Sequence, residues 1–147
     1  MGAPMIGVCL VTLLALAGGT GGCGKPQAPS PRPLVEEIVR DMQERAFDRL
    51  YGRLTAARKR ELTLQEYVRT NLAGFEKLES AGGALEDWQL REETRSPDGT
   101  EAWVETVVRV TFPGKAGPSE HRRRLVFQLT YEEDEWKFDS YRSYEVP

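Results

Sequence analysis

The sequence lacks nearly everything that marks catalysis, metal binding or nucleic-acid binding. It has two cysteines and one histidine in 147 residues, and no cluster of cysteine, histidine and carboxylate residues has the spacing of a metal site. Phosphate-binding loops, the GxGxxG fingerprint and the GxSxG nucleophile motif are missing. The formal net charge of −3 gives none of the basic excess that nucleic-acid binders show. We therefore expect no cofactor, no metal and no nucleic acid.

Charged residues are absent from the amino-terminal segment as well. No charged side chain precedes Lys25, and residues 5–17 (MIGVCLVTLLALA) form an apolar run. That run is shorter than the ~20 residues that cross a bilayer and has the length of a signal-peptide core. We therefore predict that residues 1–22 are a signal peptide and that the protein is exported.

Two cleavage sites are compatible with this signal. Gly21, Gly22 and Cys23 match the end of a bacterial lipobox, in which the cysteine is acylated and becomes the mature amino terminus. Cleavage after Ala17 would instead leave a soluble periplasmic or secreted protein. Thr20 stands where a lipobox usually has leucine, and a basic n-region is missing. We favour lipidation of Cys23, which makes the membrane a partner of the protein.

The residues after the predicted lipidation site favour a tether. Residues 23–33 are rich in proline and glycine, and such a chain is expected to remain extended and to hold a domain about 30 Å from a membrane. Cys9 would leave with the signal, so the mature chain would have no internal disulfide. Gly24 follows the cysteine, which favours the outer membrane if the cell has two. Residues 34–147 are expected to form one domain.

Helical patterns occupy the first half of that domain. An apolar stripe predicts a helix over residues 34–54, interrupted near Gly52, with Asp41 and other charged residues on its solvated side. A short basic turn follows at residues 56–60. Thr63 and Glu66 form a capping box that begins a second long helix, and glycines at residues 82–83 end it.

Strand patterns occupy the second half. Residues 85–94, 100–112 and 122–144 predict four antiparallel strands, with a tight turn at residues 96–99. In the last strand we expect Trp136, Phe138 and Ser140 on the buried face, with Asp139 directed away from it. The fold class is therefore α+β, with N-terminal helices packed on a curved four-stranded antiparallel sheet.

Two segments resemble a known superfamily. FDRLYGRLTAARKRELTLQEYVRT at residues 47–70 and EWKFDSYRSY at residues 135–144 resemble the nuclear transport factor two-like, or cystatin-like, superfamily, including uncharacterised bacterial lipoproteins. The resemblance implies a cone-like sheet around a long helix, with a pocket that some members use for ligands and a few for catalysis. The expected pocket lining is Tyr51, Tyr67, Trp88, Phe127, Trp136 and Phe138.

Candidate reactive residues give little support to catalysis. His121 lies among charged residues at a predicted loop edge and is expected to be solvated, as are Asp48 and Asp139. No carboxylate has an apolar setting that would tune a general base. Arg122 and Arg124 share one face of a strand, so they form either an anion contact or a solvated strand end.

These patterns favour a lipid-anchored, extracytoplasmic, non-catalytic domain of the bacterial cell envelope. It would bind a partner protein or a small apolar ligand. One alternative is a small-molecule isomerase or dehydratase that uses the cone pocket. The other is a homodimeric structural module that associates through the outer face of the sheet, where Trp103 or Tyr141 would be exposed.

Overall fold

The computed structural model describes residues 27–147. The predicted signal peptide (residues 1–22), the predicted lipidation site Cys23 and the first part of the predicted tether lie outside the described residues. Within residues 27–147, the helices precede the strands and pack on one face of a single antiparallel sheet, which confirms the α+β class. The elements are α1 (Arg32–Gln43), α2 (Phe47–Gly52), α3 (Ala56–Glu61), α4 (Leu64–Ser80), β1 (Ala84–Arg95), β2 (Glu101–Phe112), β3 (Ser119–Glu132) and β4 (Glu135–Val146). No helix in this part of the chain has the length and apolarity needed to cross a membrane.

The sheet is open and follows chain order, with β2 and β3 at its centre. Its buried face comes from the alternation predicted for β2, and every second residue from Ala102 to Val110 is buried. Val104 pairs with Phe127 in β3, and Leu129 pairs with Phe138 in β4, so these strands bury the same face. The apolar side of α1 completes the core with Val35, Ile38, Val39 and Met42.

The single helix predicted over residues 34–54 is wrong, because the chain turns between α1 and α2. Arg45 has a φ of 58°, in the left-handed region that ends a helix. The amide of Ala46 then donates to the carbonyl of Asp41 at 2.8 Å and fixes the turn. Gly52 is the last residue of α2, and the predicted basic turn at residues 56–60 is helix α3, which Thr55 caps.

Asp41 is buried, although the sequence pattern placed it on the solvated side. Only 3% of the residue is exposed, and its carboxylate accepts from Nε of Arg49 at 3.0 Å and from Nε of Arg53 at 2.7 Å. A buried carboxylate requires such partners, because an unpaired charge is costly to remove from water. The ion pairs join α1 to the start and the end of α2.

Helix α4 begins and ends as predicted. The Thr63 hydroxyl accepts from the Glu66 amide, and the Glu66 carboxylate accepts from the Thr63 amide, which confirms the capping box. Gly82 has a φ of 73° and closes the carboxyl end. Phe75 packs on Phe47 and Tyr67 packs on Tyr51, but none of the residues of α4 is fully buried.

The second half of the predicted tether is packed on the sheet, which corrects that prediction for residues 28–33. Arg95 donates to the carbonyls of Ala28 and Pro29 at 2.6 and 3.1 Å, and the indole N–H of Trp136 donates to Pro29 at 2.7 Å. Pro31 is buried, and α1 begins at the next residue. The prolines at every second position of residues 28–33 leave no hydrophobic periodicity, so the sequence pattern did not predict this contact.

A β-bulge at Asp139 changes the faces of β4. Gln128 pairs with Ser140 and Leu129 pairs with Phe138, so Asp139 has no counterpart in β3. Beyond the bulge, Tyr141 pairs with Phe127 and lies on the helix side of the sheet. The predictions that Ser140 continues the buried face and that Tyr141 lies on the outer face are therefore wrong.

The edge of β4 at this bulge is covered by the chain that leaves α2. The Thr55 amide donates to the Phe138 carbonyl and the Phe138 amide donates to the Arg53 carbonyl, both at 2.8 Å. Strand β1 contains two further register shifts, between Glu86 and Gln89 and between Leu90 and Glu93.

Candidate functional site

A cleft of about 640 Å³ separates α4 from the inner face of the sheet. It exists because α4 contacts the rest of the protein mainly through α2 and leaves its own apolar side only half-buried. The cleft opens at the end of the sheet where β1 begins and β2 ends. Its apolar lining is Met42, Phe75, Leu78, Leu85, Trp88, Val108, Val110, Phe112, Leu125 and Tyr141.

Few polar groups line this cleft, and the charged ones are cationic. Lys77 belongs to the last turn of α4, and Arg123 belongs to β3 on the facing wall. Nη1 of Arg123 donates to the Ser143 hydroxyl at 3.3 Å. An apolar cavity of this volume with a few convergent polar groups is typical of small-molecule sites.

A second, smaller cavity of about 220 Å³ adjoins the cleft. The two share Thr70, Asn71 and Tyr141 as lining residues. Burial raises the pKa of the Tyr67 hydroxyl far above its usual value, and the nearby Tyr141 hydroxyl raises it further. Burial also raises the pKa of the Tyr141 hydroxyl, although 41% of the residue as a whole is exposed. Both tyrosines are therefore neutral donors at physiological pH.

Asp139 lines the smaller cavity, which corrects the expectation that it faces away from the pocket. The bulge is the physical reason, because the extra residue interrupts the alternation of β4. The carboxylate accepts from the Ser140 hydroxyl at 3.0 Å and from the Thr55 hydroxyl at 3.5 Å. The cavity therefore contains a half-buried carboxylate beside the two tyrosines.

The six residues predicted to line one pocket are distributed over different environments. Trp88 lines the large cleft, whereas Tyr67 and Phe138 line the small cavity. Phe127 and Trp136 belong to the hydrophobic core. Tyr51 packs on Tyr67 and donates its hydroxyl to the Leu62 carbonyl at 2.9 Å, so its polar group is already used.

Arg122 and Arg124, for which the sequence left open an anion contact or a solvated strand end, lie on the face of the sheet opposite to the cleft. Arg124 is 3.7 Å from the Glu105 carboxylate and stacks on Tyr144. Arg122 lines a shallow depression that also contains Asp87 and Glu120. This mixed charge favours a solvated surface over a dedicated anion site. His121, predicted at a loop edge, is an exposed residue of β3 with its ring against Phe112.

The sequence patterns did not identify most of the residues that line the cleft. Phe75, Leu78, Val110 and Phe112 were identified only as members of apolar stripes, which do not distinguish a filled core from a cavity wall. Among residues 27–147, no three histidine, cysteine or carboxylate side chains are grouped as metal ligands would be. The indole N–H of Trp88 is buried in the cleft wall without a hydrogen-bond partner in the described chain.

Comparison with known proteins shows that the fold of this chain is similar to that of several solved structures. No family model and no curated protein sequence matches the chain. The solution structure of RPA3114, a SEC-C motif containing protein from Rhodopseudomonas palustris, is 17% identical, with a TM-score of 0.54 over 79% of this chain and 80% of that one. Aln2 from a Streptomyces species is 12% identical, with a TM-score of 0.52 over 81% and 94%. The intermembrane space region of the chloroplast protein ARC6 is 14% identical, with a TM-score of 0.47 over 80% and 99%.

Proposed function

We propose that the protein is a lipid-anchored, extracytoplasmic, non-catalytic domain of the bacterial cell envelope that binds a small, largely apolar ligand between α4 and the sheet. The observation that carries this proposal is the cleft of about 640 Å³ with its predominantly apolar lining. Burial of an apolar ligand there would contribute roughly 25 cal/mol per Å² of surface removed from water. A partner protein that inserts an apolar side chain is the alternative occupant.

The proposal includes a cone-like sheet of the nuclear transport factor two-like kind. Three bulges support it, two in β1 and one in β4, because a bulge bends its strand and increases the local twist. Both bulged strands are edges of the sheet. Curving them toward α4 would enclose the cleft from two sides.

The anchor is proposed at Cys23. Residues 28–31 already contact the sheet, so only the four residues 24–27, spanning five Cα–Cα steps, separate Cys23 from the docked segment. An extended chain of that length reaches at most about 18 Å, which is shorter than the 30 Å expected for a free tether. The domain would therefore stay close to the membrane.

Mass spectrometry of the protein exported by a bacterial host tests the anchor. We expect an acylated mature amino terminus at Cys23 and recovery in the membrane fraction. The Cys23→Ala variant should lose both the acyl mass and the fractionation. A mature amino terminus at Gly18 would contradict the anchor and leave the ligand proposal standing.

Titration with the neutral fluorescent probe N-phenyl-1-naphthylamine tests the ligand site. Gly74 lines the cleft, and a Cβ placed there meets no atom within 4 Å, so a leucine at this position has room to occupy part of the cleft. We expect Gly74→Leu to weaken probe binding by about tenfold, equivalent to about 1.4 kcal/mol.

Gly52→Leu is the matched control for this titration. Gly52 is also helical, and a Cβ placed there also meets no atom within 4 Å, but it lies in α2, outside the cleft lining. Probe affinity should be unchanged in this variant. Equal losses in both variants, or probe binding that neither alters, would contradict a site in the cleft.

A second candidate, an isomerase or dehydratase, is favoured by one observation: Asp139 lines a cavity with Tyr67 and Tyr141. Base-promoted opening of 5-nitrobenzisoxazole reports any carboxylate that acts as a base in an apolar cavity. We expect the same rate from the wild type and from Asp139→Asn. A wild-type rate that is well above that of the variant would favour the enzyme and contradict the non-catalytic proposal.

A further inference from the structure

We infer that the cleft selects an amphipathic anion, with an apolar body between α4 and the sheet and one carboxylate held between Lys77 and Arg123. This inference rests on the proposed function, because it assigns a chemical class to the ligand of the same site. The apolar lining of the cleft would surround the body of the ligand, and the two charged side chains would bind its head group.

The charge of the cleft is opposite to that of the whole chain. Lys77 and Arg123 lie on facing walls, and none of the described residues that line the cleft is acidic. The chain as a whole has a formal net charge of −3. Two cationic side chains therefore line the cleft of an acidic chain, and a carboxylate placed between them would be attracted by both.

Arg123 is held in place without being neutralised by a buried acid. The Ser143 hydroxyl accepts from its Nη1, and Glu145 lies 3.4 Å from its Nη2. The Glu145 side chain is 84% exposed, so the pair is a solvated surface contact that contributes little. A carboxylate that enters the cleft can therefore replace Glu145, and a guanidinium binds it with charge-assisted hydrogen bonds.

Strand alternation explains why only one of three consecutive arginines serves the cleft. Arg123 pairs with Val108 on the helix side of the sheet. Arg122 and Arg124 pair with Arg109 and Val107, on the opposite face. Arg122 is therefore a neighbour of equal charge that cannot reach the cleft, and it provides the control for the test.

Octanoate and 1-octanol both have eight carbons and differ in the charge of the head group, so comparing them separates the contribution of the charge from that of the apolar chain. The extra methylene of the 1-octanol chain favours 1-octanol and therefore works against the expected preference. Each is titrated against the protein loaded with N-phenyl-1-naphthylamine at neutral pH, and displacement of the probe is measured. We expect octanoate to displace the probe at about tenfold lower concentration than 1-octanol, the effect of one charge-assisted contact. Arg123→Gln and Lys77→Gln should each reduce that preference, and Arg122→Gln should retain it.

The outcomes separate this inference from the proposed function. Equal displacement by the two compounds, displacement by neither, or an equal loss of preference in Arg122→Gln would overturn the anion selectivity while the apolar site stands. Failure of the probe to bind at all would overturn both. Circular dichroism of each variant confirms that it is folded. Lys77 lies in α4 and Arg123 lies in β3, so if one of the two variants fails to fold, the other is sufficient for the test.

Discussion

Individual side chains fix the turns and the helix junction on which the architecture depends. In the turn between β1 and β2, the Asp98 carboxylate accepts from the Ser96 hydroxyl and from the amide and hydroxyl of Thr100. These hydrogen bonds, with the Ser96 contact the largest, lower the pKa of Asp98 to about 2. The predicted turn at residues 96–99 is thus an acid-sensitive element, and Gly99 has a φ of 72°, which glycine adopts without steric cost.

Acid titration tests the role of Asp98. The folded pKa lies below the value of about 3.9 in an unfolded chain, so the contribution of Asp98 is complete above that value and is lost as the pH falls toward about 2. We expect the stability difference between wild type and Asp98→Asn to shrink over this interval in urea denaturation. A difference that is independent of pH would contradict the assignment.

The Asp41 carboxylate stabilises the junction between α1 and α2 through its ion pairs with Arg49 and Arg53. Replacing it by asparagine leaves Arg49 and Arg53 without their buried partner. We expect a loss of about 2–3 kcal/mol in unfolding free energy, less than the 3–5 kcal/mol for a fully buried pair, because both arginines have access to water. Asp48→Asn is the control, since Asp48 is exposed on α2 and should change stability by less than about 0.5 kcal/mol. Similar losses in the two variants, measured in urea, would contradict the buried pair.

At the scale of elements, the segment of residues 28–31 behaves as part of the domain. Arg95 binds its carbonyls and packs on Trp136, 5.7 Å from the indole ring. We expect Arg95→Gln to cost about 1–3 kcal/mol in denaturation experiments, and Arg91→Gln, on the exposed part of the same strand, to cost much less.

A double-mutant cycle tests whether the stability lost in Arg95→Gln comes from the contact with residues 28–31, the docked segment. In a chain that begins at Ser30, the carbonyls of Ala28 and Pro29 are gone, so Arg95→Gln should have a smaller effect than in the longer chain. An equal effect in both chains would show that Arg95 stabilises the sheet by another route.

At the scale of elements, the sequence predicted those features whose residue pattern is complete within a short segment of the chain. The capping box of Thr63 and Glu66 and the alternation of β2 are complete within a few residues, and both were predicted correctly. The break at Arg45 rests on a positive φ at a non-glycine residue, for which the sequence has no signal. The bulge at Asp139 lies beside contacts from a distant part of the chain, the hydrogen bonds of Phe138 with Arg53 and Thr55. Tyr141 and Asp139 were therefore assigned to the wrong surfaces.

For the whole molecule, the docked segment of residues 28–31 and the cleft lie at opposite ends of the sheet. Residues 28–31 contact the ends of β1 and β4 near the two hairpin turns, whereas the cleft is lined by the start of β1 and the end of β2. The roughly ten residues of β1 between these ends span about 30 Å. A domain held within about 18 Å of a membrane would thus place its cleft away from the bilayer surface.

The location of a bound ligand tests the central proposal most directly. Nuclear Overhauser contacts between N-phenyl-1-naphthylamine and protein methyl groups would distinguish the cleft from a more open apolar groove of about 700 Å³ on the other side of α4, here called the outer groove. We predict contacts to Leu78, Val110 and Leu125, which line the cleft. Contacts to Leu64, Val68 and Leu72 on the outer groove, without those three, would contradict a binding site between α4 and the sheet.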